Sequence, residues 1–322
     1  MIFPISISVQ QLPGSRGRIF VNAICARNLS KSYDGKSMAL KELNLEIPGG
    51  GVFGFLGPNG AGKTTTVKLL TGLLSPSGGE CSVMGVSPAE DPCGVHRICG
   101  VMTESAKMYG QLTGTENLVF FARAAGIQPA ECEARANELL KRLDLWDARD
   151  KKLSAYSTGM AQRLSFARAL VHGPEVLFLD EPTSGLDPES AQSVNEMIAE
   201  LAGREGTTVF LCTHQLRYAQ DLCGSYGIIN KGSLLACGSL SELSAGIGCR
   251  TRAGFRLADG EKPEGMERKD GWWRTEILRE EEMPALLSRM VEAGYHIYEA
   301  RLIRPALEDV YFSYVERQEA RL

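Results

Sequence analysis

The stretch Gly57–Thr65 constrains the fold of this chain most, because it fits the pattern G-x-x-x-x-G-K-[ST] of a phosphate-binding P-loop. Apolar residues at 52–56 predict a buried strand before it, and residues 65–70 predict a helix after it. Glycines let backbone N–H groups approach phosphate oxygens, and the N-terminus of a helix favours negative charge. We therefore expect a nucleotide phosphate site here; a glycine-rich turn without a ligand is the alternative. The predicted nucleotide-binding residues are Gly57, Pro58, Asn59, Gly60, Ala61, Gly62, Lys63, Thr64 and Thr65.

Two residues of this loop have distinct expected roles. Lys63 would reach the β- and γ-phosphates, and the Thr64 hydroxyl would bind Mg²⁺. A second motif begins at Val176, where an apolar run typical of a strand buried on both faces ends at Asp180 and Glu181. Asp180 would hold Mg²⁺ directly or through water. Glu181, on the opposite side of the pleat, could take a proton from an attacking water. An acidic pair that only ends a strand is the alternative.

The composition narrows the class of protein. With 322 residues, the chain can form one large domain and a smaller one. Its net charge of −4 provides no basic field for nucleic-acid binding. Its nine cysteines include no C-x-x-C pair, which argues against disulfides or zinc and favours a reducing compartment. No run of about 18 apolar residues predicts a membrane-spanning helix, so we expect a cytosolic chain that reaches a membrane only through a partner.

Strand and helix signals divide the chain into three parts. Residues 1–23 form a leader that fits no pattern and could be disordered or add a strand to a sheet edge. Residues 24–245 begin with antiparallel strands and continue with alternating buried strands and helices, which is typical of a parallel α/β sheet. Residues 246–322 predict a small α+β domain. In this domain Trp272 and Trp273 could pack in a core or form a surface for a partner.

Further motifs, in the same order along the chain, resemble those of the ATP-binding cassette (ABC) ATPases. The segment Tyr156–Arg163 is similar to the family signature Leu-Ser-Gly-Gly-Gln with its following Gln-Arg, although Thr158 and Met160 depart from it. The segment Ser184–Pro188 matches the D-loop of the family, and His214 matches its switch histidine. The resemblance covers the part of the chain between the leader and the C-terminal domain.

The resemblance implies a P-loop NTPase (RecA-like) core with an antiparallel β subdomain and a helical signature subdomain at about 105–165. It also implies roles for further residues. Tyr33 would stack on adenine, and His214 would contact the γ-phosphate. Ser157 and Gly159 would cap ATP held by a second subunit, so that two subunits close on two ATP molecules and hydrolysis releases them. ATP and Mg²⁺ are the implied cofactors; for Tyr33, a tyrosine that only fills a strand or turn is the alternative.

The largest departure from the family lies in its Q-loop. The family has a glutamine there that reaches Mg²⁺ and connects to the membrane subunit, whereas this chain has Glu104. Gln111 lies beyond this position and does not replace that glutamine. Glu104 could contact the water shell of the metal, where an added negative charge should change metal affinity or coupling. An ordinary loop carboxylate is the alternative.

The variant signature resembles that of multidrug, antibiotic, sodium and polysaccharide exporter ATPases, and Ala306–Tyr311 resembles an element near the C-terminus of that group. This implies an ATPase subunit that powers export from the cytoplasmic side of the membrane. Its partners would be separate permease subunits and either a second copy or a different ATP-binding subunit. A soluble ABC ATPase that acts on nucleic acid or ribosomes is the alternative. An inactive cassette is disfavoured because Lys63, Asp180 and Glu181 are all present.

Overall fold

The computed structural model of the chain describes residues 22–103, 108–258, 260–277 and 279–320. The predicted leader as far as residue 21 and Glu104 lie outside the described residues. The chain separates into two compact units, the first ending at Gly238 and the second beginning at Ser239. The sequence analysis placed this division after residue 245, so the helix that follows Ser239 lies in the second unit instead of the first. Within the described ranges, no helix is long and apolar enough to cross a lipid bilayer.

The described part of the first unit contains a three-stranded sheet, a six-stranded sheet and helices. Its strands are β1 (Asn22–Ser32), β2 (Met38–Pro48), β3 (Gly51–Leu56), β4 (Gly78–Val83), β5 (Cys99–Met102), β6 (Val176–Asp180), β7 (Thr208–Thr213), β8 (Ser225–Asn230) and β9 (Ser233–Gly238). Its α-helices are α1 (Lys63–Leu70), α2 (Pro92–Ile98), α3 (Gly114–Ala124), α4 (Pro129–Arg142), α5 (Thr158–Leu170), α6 (Pro188–Gly203) and α7 (Leu216–Leu222).

The larger sheet has the strand order β5-β6-β7-β3-β8-β9, and its neighbouring strands are parallel except for β8 with β9. All residues of β6 and β7 are buried, which confirms the prediction of strands covered on both faces. Phe210 of β7 contacts Phe53 of β3 and Phe178 of β6, with ring centroids 5.6 Å apart in both pairs. Each of these buried rings contributes about 2–3 kcal/mol of stability. Their packing holds the three strands side by side, so the loops after their carboxyl ends meet at one edge.

The smaller sheet has the order β2-β1-β4, and both of its strand pairs are antiparallel. In β2, Leu43, Leu45 and Ile47 are buried while the residues between them are exposed, as the alternating sequence predicts. Strand β3 follows directly but leaves this sheet and pairs with β7 and β8 in the larger one. The chain thus enters the P-loop from the buried centre of the parallel sheet.

The predicted helical stretch consists of α3 and α4, followed by two short 3₁₀ turns and then α5. Helix α3 begins with a capping box, in which the side chains of Thr113 and Glu116 each bind the backbone N–H of the other. Helix α5 begins after Ser157, whose hydroxyl accepts a hydrogen bond from the backbone N–H of Met160 at 3.2 Å. A cap of this kind stabilises a helix by about 1 kcal/mol. The start of α5 is therefore fixed at the signature segment.

The second unit is an α+β domain, as predicted. Its sheet has the antiparallel order β11-β12-β10-β13. Its elements are α8 (Leu240–Ile247), β10 (Arg252–Leu257), β11 (Glu267–Lys269), β12 (Trp272–Glu276), α9 (Glu282–Glu292), β13 (Ile297–Ile303) and α10 (Leu307–Glu319). From the sequence we predict strands over 252–257, 272–278 and 296–303 and helices over 280–292 and 306–316, and each lies within a few residues of its observed bounds. Helix α8 was not predicted, and the short β11 lies in a stretch that was read as a turn.

The two neighbouring tryptophans of β12 lie on opposite faces of this sheet. Trp273 packs against the core formed by Phe255 and Met290. Trp272 lies on the other face, where the Arg301 guanidinium is 3.8 Å from the centre of its ring. Gly254 provides the space for the Trp272 ring, because a Cβ atom there would lie 3.3 Å from it. Of the two alternatives for this pair, core packing applies to Trp273, whereas Trp272 lies with Arg301 on the other face of the sheet.

Candidate nucleotide-binding site

The P-loop connects the end of β3 to the start of α1. Its backbone requires glycine at residue 62, where φ is 111° and a Cβ atom would lie 2.9 Å from the carbonyl oxygen of Ala39. The loop lines a cleft together with Ala39, Asp180 and Glu181. The first turn of α1 points its free N–H groups at this cleft, which favours a bound anion. Sequence reasoning did not find Ala39, since nothing in its own sequence context marks it as a lining residue.

Lys63 and Thr64 lie at the start of α1 with well-defined partners. Lys63 is only 6% exposed, and its Nζ atom donates to the carbonyl oxygen of Gly57 at 2.6 Å. The Thr64 hydroxyl donates to Asp180 Oδ2 at 2.9 Å. Strand β6 brings Asp180 to this position because it ends at that residue. The structure thus places the cationic side chain and both of these predicted metal ligands at one edge of the sheet.

Glu181 does not lie where the pleat of β6 would place it. The strand ends at Asp180, and Glu181 has a φ of 50°, in the left-handed region that non-glycine residues seldom adopt. The prediction that pleat alternation orients Glu181 was therefore wrong, and a strained turn orients it instead. Its carboxylate accepts hydrogen bonds from Thr213 Oγ1 at 3.0 Å and from the backbone N–H of His214 at 2.9 Å. It also lies 2.6 Å from His214 Nδ1.

The signature helix α5 is connected to this turn. Gln162 Nε2 donates to the carbonyl oxygens of Glu181 at 3.4 Å and of Pro182 at 3.3 Å. At Gly159 a Cβ atom would lie 3.6 Å from Leu186 Cδ2, so the helix start also packs beside the D-loop. Ser157, which caps the N-terminus of this helix, is exposed. The helix that carries Ser157 and Gly159 is thus anchored to the turn that carries Glu181 of the same chain.

Tyr33 lies beside the P-loop helix. It is 61% exposed, and its hydroxyl is 3.2 Å from Thr65 Oγ1. The turn that follows it is held by Asp34, whose carboxylate accepts from the backbone N–H groups of Ser37 and Lys36. These bonds lower the pKa of Asp34 to about 2, so it stays ionised at neutral pH. An exposed aromatic ring is thereby held next to the phosphate loop.

Two residues with clear contacts in the site were given no role by the sequence analysis. Thr213 binds the Glu181 carboxylate, and Gln162 binds the backbone of the same residue. Both are adjacent to motif residues, Thr213 directly before His214 and Gln162 within the signature segment, so proximity to a motif was the available signal. Glu104 lies outside the described residues, and its expected contact with the metal stays a prediction.

A P-loop after a central parallel strand, with an acidic pair at the end of a neighbouring strand, defines a P-loop nucleotide hydrolase. A family model described as "ABC transporter" matches residues 40–184. The daunorubicin/doxorubicin resistance ATP-binding protein DrrA of Streptomyces peucetius is 41% identical over 246 residues, which cover 76% of this chain and 74% of that protein. The linearmycin resistance ATP-binding protein LnrL of Bacillus subtilis is 34% identical, over 69% of this chain and 71% of that protein.

Solved structures agree with these relatives. An ATP-binding subunit of an ABC transporter aligns with a TM-score of 0.66 and 30% identity, over 70% of this chain and 94% of that one. A dimeric cassette in a post-hydrolysis state, bound to ADP and Pi, aligns with a TM-score of 0.63 and 25% identity, over 67% of this chain and 98% of that one. ABC transporter A family member 12 of Arabidopsis thaliana is 38% identical, and the chain spans only 27% of its length.

The chain belongs to the family of ABC transporter ATP-binding proteins. It is an ATP-binding ATPase, and its first unit has the fold of an ABC ATPase cassette.

Proposed function

We propose that this chain is the ATP-hydrolysing subunit of an exporter and works with separate permease subunits on the cytoplasmic side of the membrane. One observation carries the proposal: the P-loop, the Thr64–Asp180 pair and the Glu181–His214 pair meet at one edge of the sheet. The names of the relatives, which refer to resistance to daunorubicin/doxorubicin and to linearmycin, favour export as the direction of transport. We assign ATP hydrolysis to residues 24–245 and an accessory role to residues 246–322.

The P-loop side of the site would bind and orient the triphosphate. Lys63 would exchange its contact with the Gly57 carbonyl oxygen for the β- and γ-phosphates of ATP. Thr64 and Asp180 offer a hydroxyl and a carboxylate oxygen, the ligand types that Mg²⁺ prefers, and their 2.9 Å separation fits one shared ion. When bound, Mg²⁺ would neutralise charge on the phosphates. Tyr33 would stack on the adenine, since its exposed ring lies beside the loop.

The opposite side of the site would activate water. Phosphoryl transfer to water depends mainly on positioning and charge stabilisation, so one oriented base suffices. Glu181 is the proposed base and His214 the proposed γ-phosphate contact. Both carboxylate oxygens of Glu181 are engaged by Thr213 and His214. When the His214 side chain turns to the γ-phosphate, Glu181 Oε1 keeps its bond from the His214 backbone N–H and gains a free lone pair for the proton of the water. This supports a paired role for the two residues.

A second subunit would complete each site. Ser157 and Gly159 of one subunit would cap the γ-phosphate of ATP held by the other, through the hydroxyl and the N–H groups at the start of α5. The exposed position of Ser157 supports this role, and so does the dimeric state of a similar cassette. ATP would then hold two subunits together, and hydrolysis would shift them to the open state.

An aromatic cluster of the first unit fits contact with a permease subunit. Tyr109 and Phe120 are 51% and 44% exposed, and their ring centroids lie 4.9 Å apart. Below them, Phe121 contacts the guanidinium of Arg168, which comes from α5 and donates to the Val101 carbonyl oxygen at 3.0 Å. The cluster is therefore connected to the signature helix through the partly buried side chain of Arg168. Exposed aromatic groups of this kind are enriched in protein interfaces.

Purification of the tagged full-length chain from native membranes tests the proposal. We expect membrane-spanning proteins to be recovered with it, and we expect the double variant Tyr109→Ser/Phe120→Ser to lose them while keeping basal ATPase activity. Leu73→Ser is the matched control, because Leu73 is a similarly exposed apolar residue of the same unit, at 56%. Recovery with ribosomes or nucleic acid and without membrane proteins would instead support the soluble alternative.

A further inference from the structure

Strand β13 of the second unit forms one edge of its sheet. It pairs with β10 on one side, and in the part of the chain that the structure describes no strand pairs with its other side. Tyr298 is 69% exposed, and Glu299 and Arg301 are also exposed. An edge strand offers a row of N–H and C=O groups to another strand. Natural monomers guard such edges with proline, bulges or repelling charges.

The protection of this edge is limited to its start. The register with β10 shifts between Arg256 and Leu257, which makes Tyr298 an extra, bulged residue. From Glu299 to Ile303 the pairing is regular, and this part contains no proline. A regular, exposed edge of this length can accept a partner strand.

The sequence of β13 is self-complementary about its central residue. It reads Ile297-Tyr298-Glu299-Ala300-Arg301-Leu302-Ile303, so an acid and a base flank Ala300 at equal distance. Two apolar residues follow on each side. If a second copy of the strand lies antiparallel with Ala300 opposite Ala300, Glu299 faces Arg301 of the other copy, twice. Opposite charges at facing positions stabilise an antiparallel pair, and like charges destabilise it.

The charges also select this register over its neighbours. A shift that centres the pair on Arg301 places two arginines opposite each other, and a shift that centres it on Glu299 places two glutamates opposite each other. A register shifted by one residue would pair residues from the core face of one copy with residues from the solvent face of the other, so the two sheets could not continue each other. With Ala300 at the centre, Glu299 and Arg301 of both copies lie on the open face, because Ala300 packs with the core on the other side.

From this geometry we infer that β13 binds β13 of a second copy of the chain, through a two-fold axis at Ala300, to form a continuous eight-stranded sheet. Such a contact is isologous and closes on itself, so it produces dimers rather than filaments. It requires no nucleotide, since none of its residues belongs to the ATP site. It would therefore keep two subunits together after hydrolysis has released the ATP-dependent contact, which is a role that rests on the proposed function.

Charge reversal tests this inference. Sedimentation velocity of the nucleotide-free, full-length protein in a magnesium chelator should show a dimer that dissociates on dilution. Glu299→Arg and Arg301→Glu should each be monomeric at the same concentrations, because each places like charges opposite each other twice. An equal mixture of the two variants should again be dimeric, because every facing pair is then of opposite charge. The double variant Glu299→Arg/Arg301→Glu should also be dimeric.

Matched controls separate this contact from folding and from the ATP site. Lys269→Glu reverses a charge on β11, at the opposite edge of the sheet, and should leave the dimer intact. Recovery in the mixture shows that Arg301→Glu is folded despite losing its contact with Trp272. When Glu181→Gln is combined with Arg301→Glu in one chain and ATP is added, this double variant should still form the ATP-dependent dimer. A monomeric wild type, dimeric single variants or a monomeric mixture would overturn the inference, whatever the outcome for the ATP-dependent dimer.

Discussion

Replacing Gln162 with alanine tests whether the signature helix holds the proposed base in place. Gln162 Nε2 donates to the carbonyl oxygens of Glu181 and Pro182, at 3.4 and 3.3 Å. The left-handed backbone of Glu181, with a φ of 50°, costs about 1–3 kcal/mol and persists only where neighbouring contacts enforce it. Alanine removes two of those contacts and leaves the helix itself unchanged, because alanine is the best helix former.

The size of the effect follows from these contacts. Each bond contributes about 0.5–1.5 kcal/mol net, so the turn loses about 1–3 kcal/mol in total. Because about 1.4 kcal/mol corresponds to a factor of ten in rate, kcat should fall by about 5- to 150-fold if Glu181 acts only from this turn. The KM for ATP should change little, since Gln162 does not line the cleft.

Steady-state ATPase kinetics over a range of ATP concentrations measure both quantities. Gln192→Ala is the matched control, because it removes the same side chain from an exposed position of α6, where its partner is Glu196. The control should leave kcat unchanged. If a folded Gln162→Ala protein also keeps its kcat, or if only its KM rises, the proposed positioning of Glu181 is refuted.

Three further outcomes follow from the site and its surroundings. Glu181→Gln should lower kcat by about 10²- to 10⁴-fold and accumulate as an ATP-dependent dimer in light scattering, because an amide cannot take the proton of the water; robust hydrolysis would remove Glu181 as the base. Lys63→Ala should abolish turnover, and measurable turnover would contradict its role on the phosphates. Burial lowers the pKa of His172 below its ordinary value of about 6.5. As the pH falls below that value, His172 takes up a proton in the unfolded chain before it does so in the folded chain, which destabilises the fold. The Tm should therefore fall from pH 7 to pH 5, and it should fall less steeply in His172→Gln. Glutamine keeps a donor for the Cys99 carbonyl oxygen. If thermal melts show the same dependence of Tm on pH in both proteins, His172 is not the origin of the effect.

Much of the fold could be predicted because its strands are either uniformly apolar or alternate. Strands β6 and β7 are buried on both faces, and their apolar runs stand out in the sequence. The second unit was predictable for a different reason, because its strands and helices are short and amphipathic and turn residues separate them. The P-loop residues could be assigned because phosphate binding allows few sequences at this position.

The less predictable features depend on contacts between distant residues. The orientation of Glu181 comes from a left-handed turn, which the strand pattern before it does not encode. The bonds from Gln162 to this turn, and from Thr213 to the carboxylate, join separate elements of the fold. The cleft also includes Ala39, because β2 passes beside the P-loop. Periodicity reports which face of an element is buried, and it does not report such partners.

A complementation experiment tests the shared ATP site most directly. Lys63→Ala removes the phosphate contact from the subunit that binds the ATP. Gly159→Asp places a negative charge on the surface that would cap the γ-phosphate of ATP bound by the other subunit. A Cβ atom at Gly159 fits without backbone change, because its nearest neighbours, Leu186 Cδ2 at 3.6 Å and Asp187 Oδ2 at 4.0 Å, lie at ordinary contact distances. Each variant alone should be inactive. A mixed dimer contains one site with both Lys63 and Gly159 intact, so ATP hydrolysis should return on mixing. If the mixture is no more active than its components although mixed dimers form, ATP is not bound between two subunits and the account is wrong.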